Sequence, residues 1–115
     1  MASKNSGQKN KLTTEQLEEM IEEATVDAYG EEEQLSGFFN MFEEYLELPF
    51  ETKILGINIT VETIEFNDRD DIVAICTKGS ERQPISLIDL PLPSSLPKGA
   101  EWIEAYRHWA RKGRG

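Results

Sequence analysis

The stretch ATVDAYGEEEQLSGFF, Ala24 to Phe39, places Asp27 and three consecutive glutamates, Glu31, Glu32 and Glu33, directly before an apolar run. From Glu15 to Glu51 the chain carries thirteen of its 22 acidic residues and no lysine or arginine. Like charges in water repel by about 1 kcal/mol at 4 Å, and burying an unpaired carboxylate costs far more. A hard cation held among them relieves both penalties. Calcium takes about six to eight oxygens and tolerates irregular geometry, whereas magnesium insists on an octahedron and keeps its waters. A turn from Asp27 to Gly30 offers backbone carbonyls beside the carboxylates. It is not an EF-hand: counting from Asp27, the sixth position is Glu32 where glycine is required, and the twelfth is Phe38 where a bidentate acid is due. Acids in a first helical turn are also favoured by the helix dipole, by about 0.3–1 kcal/mol each, and need no ligand to be there.

Two helices must position these acids. Thr13 with Gln16 forms a capping-box pattern, and Leu17, Met20, Ile21, Ala24 and Ala28 follow at helical spacing, with Gly30 suited to the left-handed position that ends a helix. A second helix is expected over Glu31 to Leu46, with Leu35, Phe38, Phe39, Phe42 and Leu46 along one side and Leu48-Pro49 stopping it. On the first helix Glu15, Glu18, Glu19 and Glu22 point away from the apolar stripe as a solvated face, while Glu23 and Asp27 run along its border. Projection at about 100° per residue turns Glu31 and Glu32 inward and Glu33, Asn40, Glu44 and Glu47 outward. The candidate metal ligands are therefore Asp27, Glu31 and Glu32, with Glu23 at the margin.

Beyond Phe50 the pattern changes to period two. Phe50 to Leu55, Ile57 to Phe66, Ile72 to Lys78 and Pro84 to Leu90 read as short strands separated by Gly56, NDRDD and KGSERQ. Four or five such strands make an antiparallel meander that would curl into a small barrel or half-barrel. DLPLPSSLPKG is an extended proline-rich connection, and a last helix over Ala100 to Lys112 offers Trp102, Ile103, Tyr106 and Trp109 for docking. The expected organisation is a disordered polar arm at 1–12 and one α+β domain at 13–112.

The net charge of −10 is segregated: residues 98–115 hold five basic residues against two acidic. An acidic face repels nucleic acid and anionic membranes and favours metal cations or a basic protein partner. The N-terminus lacks the apolar stretch of a secretory signal, so a soluble cytoplasmic monomer is expected. One cysteine, Cys76, and one histidine, His108, leave too few ligands for zinc or iron–sulfur chemistry; Cys76 reads as a buried thiol and His108 as a surface residue at a helix end. Asp68, Asp70 and Asp71 offer a second calcium-binding turn, although a plain hairpin loop with Arg69 pairing its own acids explains them as well; Asp89 is a candidate distal ligand. Two rival functions remain open at this stage: a metal-free interaction module that docks a basic partner on its acidic face, and an enzyme using Asp27 and Glu31 as acid and base.

The order VDAYGEEEQLSGFF, EEYLELPFETKILG, then a β-rich stretch, ISLIDLPLP and GAEWIEAYRHW resembles the small acidic calcium-binding proteins first recognised in cyanobacteria. The likeness runs from about Glu22 to Trp109 and is most specific at Val26–Gln34 and Leu48–Phe50. It implies reversible calcium binding as a buffer or sensor, without catalysis, on an N-terminal helical segment packed with an SH3-like barrel. By position it falls on Asp27, Glu31 and Glu32. Where those proteins carry an acid or polar residue after VDAY, this chain has Gly30, which removes one potential ligand.

Overall fold

The computed structural model describes residues 12–112. The arm expected at 1–12 thus lies, except for Leu12, outside the described residues. The elements run α1 (Thr14–Ala24), α2 (Glu31–Tyr45), β1 (Phe50–Ile54), β2 (Ile57–Phe66), β3 (Ile72–Lys78), β4 (Glu81–Ser86) and α3 (Ala100–Arg111). The four strands form one antiparallel sheet in the order β1-β2-β3-β4. This is an α+β fold. No described helix is long and apolar enough to cross a membrane.

Local chemistry sets most boundaries. Thr13 caps α1 as its composition requires: its hydroxyl accepts from the Gln16 N–H at 3.0 Å, and the Gln16 side chain accepts from the Thr13 N–H at 2.9 Å. The hairpins are equally local. Ile54 pairs with Ile57 across the two-residue turn Leu55-Gly56, and Lys78 pairs with Glu81 across Gly79-Ser80. Asn67 organises the β2–β3 turn, its side-chain oxygen accepting from the N–H groups of Arg69 and Asp71 at 2.8 and 3.0 Å. An Asx turn, and not pairing by Arg69, is what shapes this loop.

Three expectations are corrected. The first helix ends at Ala24, not at Gly30: the Thr25 hydroxyl and N–H both donate to the Ile21 carbonyl, and the left-handed residue is Asp27 (φ 66°), while Gly30 is extended at φ −175° and caps α2. The fourth strand begins at Glu81 and ends at Ser86, because Gly79 alone, at φ 59°, suffices to turn the chain. The expected barrel does not close: β1 and β4 remain edges of an open meander. After Ser86 the chain departs into prolines that have no N–H for a ladder, and it meets β1 through a side chain instead, the buried Thr52 hydroxyl donating to the Pro91 carbonyl at 2.6 Å.

The core lies between the sheet and α2 with α3. Phe38, Phe42, Ile103 and Tyr106 are essentially inaccessible, as are Val61, Ile72 and Ala74 of the sheet. Phe38 meets Tyr106 and Trp109 at ring-centroid distances of 5.5 and 5.1 Å, and Phe42 meets Tyr106 edge-on at 5.9 Å. Such pairs add about 0.5–1.5 kcal/mol each beyond area burial. Cys76 is buried as expected, and desolvation pushes its thiol pKa up. Arg107 is half-buried and donates to the carbonyls of Leu87 and Leu90, which ties the proline-rich connection to α3.

The first helix is the least embedded of the three helices. Only its Ala24 is buried, with Leu17, Met20 and Ile21 half-buried. Glu18, expected on a solvated face, instead receives the Lys112 ammonium at 2.6 Å and the His108 ring at 3.0 Å, which tethers α1 to the last turn of α3. Hydrogen bonding by Lys112 and then His108 holds the Glu18 carboxyl below its ordinary pKa. A depressed carboxyl stabilises the fold above its unfolded value, and that contribution is lost as pH falls through the folded one. His108 is thus a tether to α1, where the sequence had suggested a simple surface residue.

Candidate metal centre

The joint between α1 and α2 carries the acids, and its backbone is built by short-range bonds. The Ala28 N–H donates to the Thr25 carbonyl at 3.0 Å, Asp27 takes the left-handed conformation that aspartate tolerates better than most residues, and Gly30 opens α2. Glu31, Glu32 and Glu33 occupy the first turn of α2, where the positive end of the helix dipole accepts them. Glu33 reaches back to accept the N–H of Tyr29, the residue before the Gly30 cap, at 2.8 Å. Gly30 itself contributes no side-chain bond, and a Cβ added there would meet nothing within 4 Å. Its glycine is therefore not demanded by sterics or by backbone angle.

A mid-helix glycine brings α1 and α2 together. A Cβ at Gly37 would collide with the Ala24 carbonyl oxygen, so the last turn of α1 rests directly on the α2 backbone. Beside this contact lies an open cleft of about 330 Å³ whose polar lining is Glu23, Asp27, Glu33, Ser36 and Asn40. On the other flank of the α2 first turn, a second cleft of about 380 Å³ lies against the β2–β3 turn and is lined by Glu32, Glu33, Ser36 and Asp70, with Leu35 and Phe66. Glu33 and Ser36 border both.

The four sequence candidates are distributed accordingly. Glu23 and Asp27 share the first cleft, Glu32 lines the second, and Glu31 lines neither. All four are exposed. The inward orientation expected for Glu31 and Glu32 is corrected: the inward positions of α2 are filled by Leu35, Phe38 and Phe42, which leave no room for a carboxylate in the core. Among the described residues, no three Asp, Glu, His or Cys side chains stand close enough to form a ready-made metal centre. Asp71 has a structural post, its carboxylate accepting from the Ile72 N–H at 3.0 Å, the Tyr106 hydroxyl at 3.2 Å and the Ser86 hydroxyl at 3.3 Å. Asp89 is exposed and acts on the Arg107 guanidinium.

Helical projection missed Glu33, Ser36 and Asn40 because it measured direction from the aromatic stripe alone. Residues 33, 36, 37, 40 and 41 form a second stripe at i, i+3, i+4, i+7 and i+8, and it is this stripe that faces α1. The signal was Gly37, an interior glycine that marks close approach of another backbone.

The donors around the joint are carboxylate, hydroxyl and amide oxygens, with no imidazole or thiol among them, which is the chemistry of a hard cation and not of zinc or copper. A family model of CcbP type, described as calcium binding, matches residues 18–110. Among solved structures, a chain described as a calcium binding protein in the calcium-binding form superposes with a TM-score of 0.69 at 21% identity, covering 96% of this chain and 98% of the other. No curated protein matches the sequence.

Proposed function

The chain belongs to the CcbP family of calcium-binding proteins, and on that premise we propose that it binds calcium reversibly at the α1–α2 joint, as a buffer or sensor and not as a catalyst. The observation that carries this assignment is the cleft of about 330 Å³, lined by no described lysine or arginine, in which Glu23 of α1 and Asp27 of the joint face Glu33, Ser36 and Asn40 of α2. Glu31 and Glu32, two and one residues before Glu33, bring two further carboxylates to the same helical turn. Calcium is the ion. It accepts mixed carboxylate and amide oxygens in irregular arrangements, where magnesium would demand an octahedron that an open cleft does not offer.

The mechanism is electrostatic. Without calcium the acids stand apart in water and repel one another weakly. Calcium neutralises them and draws the joint around itself, and α1, held by Ala24, by its half-buried neighbours and by the Glu18 tether, is the element free enough to adjust. Because the ligands are not gathered beforehand, part of the binding energy is spent on ordering them. That cost keeps affinity moderate and release ready, as a buffer requires.

Titration calorimetry tests this directly: calcium is expected to give a saturable heat in the micromolar to millimolar range, and magnesium a much weaker one. A flat calcium titration would refute the assignment. Gly30→Asp offers a gain-of-function check, since the site has space for a side chain, φ there suits any residue, and a carboxylate would be placed at the cap of α2. Calcium affinity is expected to rise by about tenfold, corresponding to about 1.4 kcal/mol.

One observation favours a second use of the same surface. Val26 and Tyr29 project from the joint at 66% and 89% exposure, apolar groups ringed by acids. A basic protein segment with an apolar anchor would suit them, and calcium would then compete with it by neutralising the acids. If this were the whole function, a basic peptide would bind while calcium gave no heat.

A further inference from the structure

Leu55 breaks two local rules at once. It is 96% exposed, and it sits at φ 53° in the turn that joins β1 to β2. With Gly56 at φ 78° and Ile54 paired to Ile57, this is a two-residue turn with both central residues left-handed, for which asparagine or aspartate before glycine is the favoured pair. A leucine there costs backbone energy and leaves its whole apolar surface in water. Beside it, the core face of the sheet continues past the helices. Ile54, Ile57, Ile59 and Ile85 line a hollow of about 230 Å³, and Ile57 is 47% exposed. Leu55 forms part of its wall, and Lys78 and Glu81, cross-strand partners in β3 and β4, border it with Arg82. None of the acids between Glu15 and Glu51 does.

We propose that this patch is a twofold self-association surface in which Leu55 of each copy enters the aliphatic hollow of the other. A closed dimer needs a patch complementary to itself, so a knob must lie beside its own hole. Leu55 and the hollow meet that condition, since Leu55 stands on the wall of a hollow that runs from the β1–β2 turn to β4. The rim carries both signs, so a twofold axis through this end of the sheet would set Lys78 of one copy against Glu81 of the second and the reverse. The volume admits one or two aliphatic side chains and no larger face, so the contact is small and the association weak. The acids of the helices do not line the contact, and salt screens charges beyond about 8 Å. The chain is then monomeric at micromolar concentration and pairs reversibly above it.

Sedimentation velocity of the full chain between about 20 µM and about 1 mM, at 0.15 M salt, reads this out. The weight-average mass is expected to climb from 13.1 kDa towards twice that value. Leu55→Asn is expected to abolish the climb while the protein stays folded, since asparagine is the residue this turn prefers. Lys78→Glu is expected to weaken pairing at least severalfold, and adding Glu81→Lys to restore it. A constant monomer mass for the wild type up to 1 mM, or a Leu55→Asn protein that pairs like the wild type, overturns the proposal.

Discussion

Saturating calcium is expected to raise the melting temperature of the wild-type chain by about 10–20 °C, and that of an Asp27→Asn, Glu33→Gln variant by only a small fraction of this. A ligand that binds only the folded state adds about 2.7 kcal/mol at a hundredfold excess over its dissociation constant, and each 1 kcal/mol moves a domain of this size by roughly 4–8 °C. The variant removes two of the three carboxylates that line the α1–α2 cleft and changes little else. Asparagine tolerates the left-handed angle of 66° at position 27, and the glutamine carbonyl oxygen at position 33 can still accept the Tyr29 N–H. Without calcium the variant should therefore melt no lower than the wild type. Differential scanning calorimetry on both proteins, with calcium and with chelator, separates a lost ligand from a damaged fold. A full calcium shift in the variant would move the site away from this cleft; Glu32→Gln, tested alone, then asks whether the cleft against the β2–β3 turn holds the ion.

Gly99→Ala is expected to be among the most damaging single substitutions in the chain, costing about 3 kcal/mol or more and lowering the melting temperature by more than about 10 °C. Gly99 is the N-cap of α3 at φ 86°, an angle that strains any residue with a Cβ. An added Cβ would also overlap the Tyr45 carbonyl and the Leu46 backbone, neither of which is a side chain that can swing aside. The surrounding bonds make relaxation costly. The Glu47 N–H donates to the Lys98 carbonyl at 2.8 Å, so the end of α2 is clasped to the start of α3 at this point. Forcing the two apart disturbs the stacking of Tyr45 on Trp102, whose rings lie 5.8 Å apart. Chemical denaturation by urea checks the magnitude. A loss under 1 kcal/mol would mean that the clasp yields easily and does not fix α3.

Sequence alone determined what is decided over a few residues. The Thr13 cap, the second helix, three of the four strands, the last helix and the buried Cys76 follow from periodicity, capping chemistry and turn residues, which act locally and leave a pattern. So did the charge segregation, which is a matter of counting residues along the chain. The resemblance at VDAYGEEEQ and LPF pointed to the family that the match over residues 18–110 establishes.

Tertiary structure decided the directions. Helical projection placed Glu31 and Glu32 toward the core because it assumed one neighbour for α2. The helix has two: the aromatic stripe meets α3 and the sheet, while Gly37 admits the end of α1 on another side and turns Glu33, Ser36 and Asn40 into the lining of a cleft. The tether from Glu18 to His108 and Lys112 joins residues about ninety positions apart, and no local pattern announces it. Closure of the sheet was undecidable for a similar reason. Strand propensity is a property of each segment, but whether the last edge meets the first depends on where the chain goes afterwards, and here prolines with no N–H to donate carry it across β1 on a single hydroxyl bond.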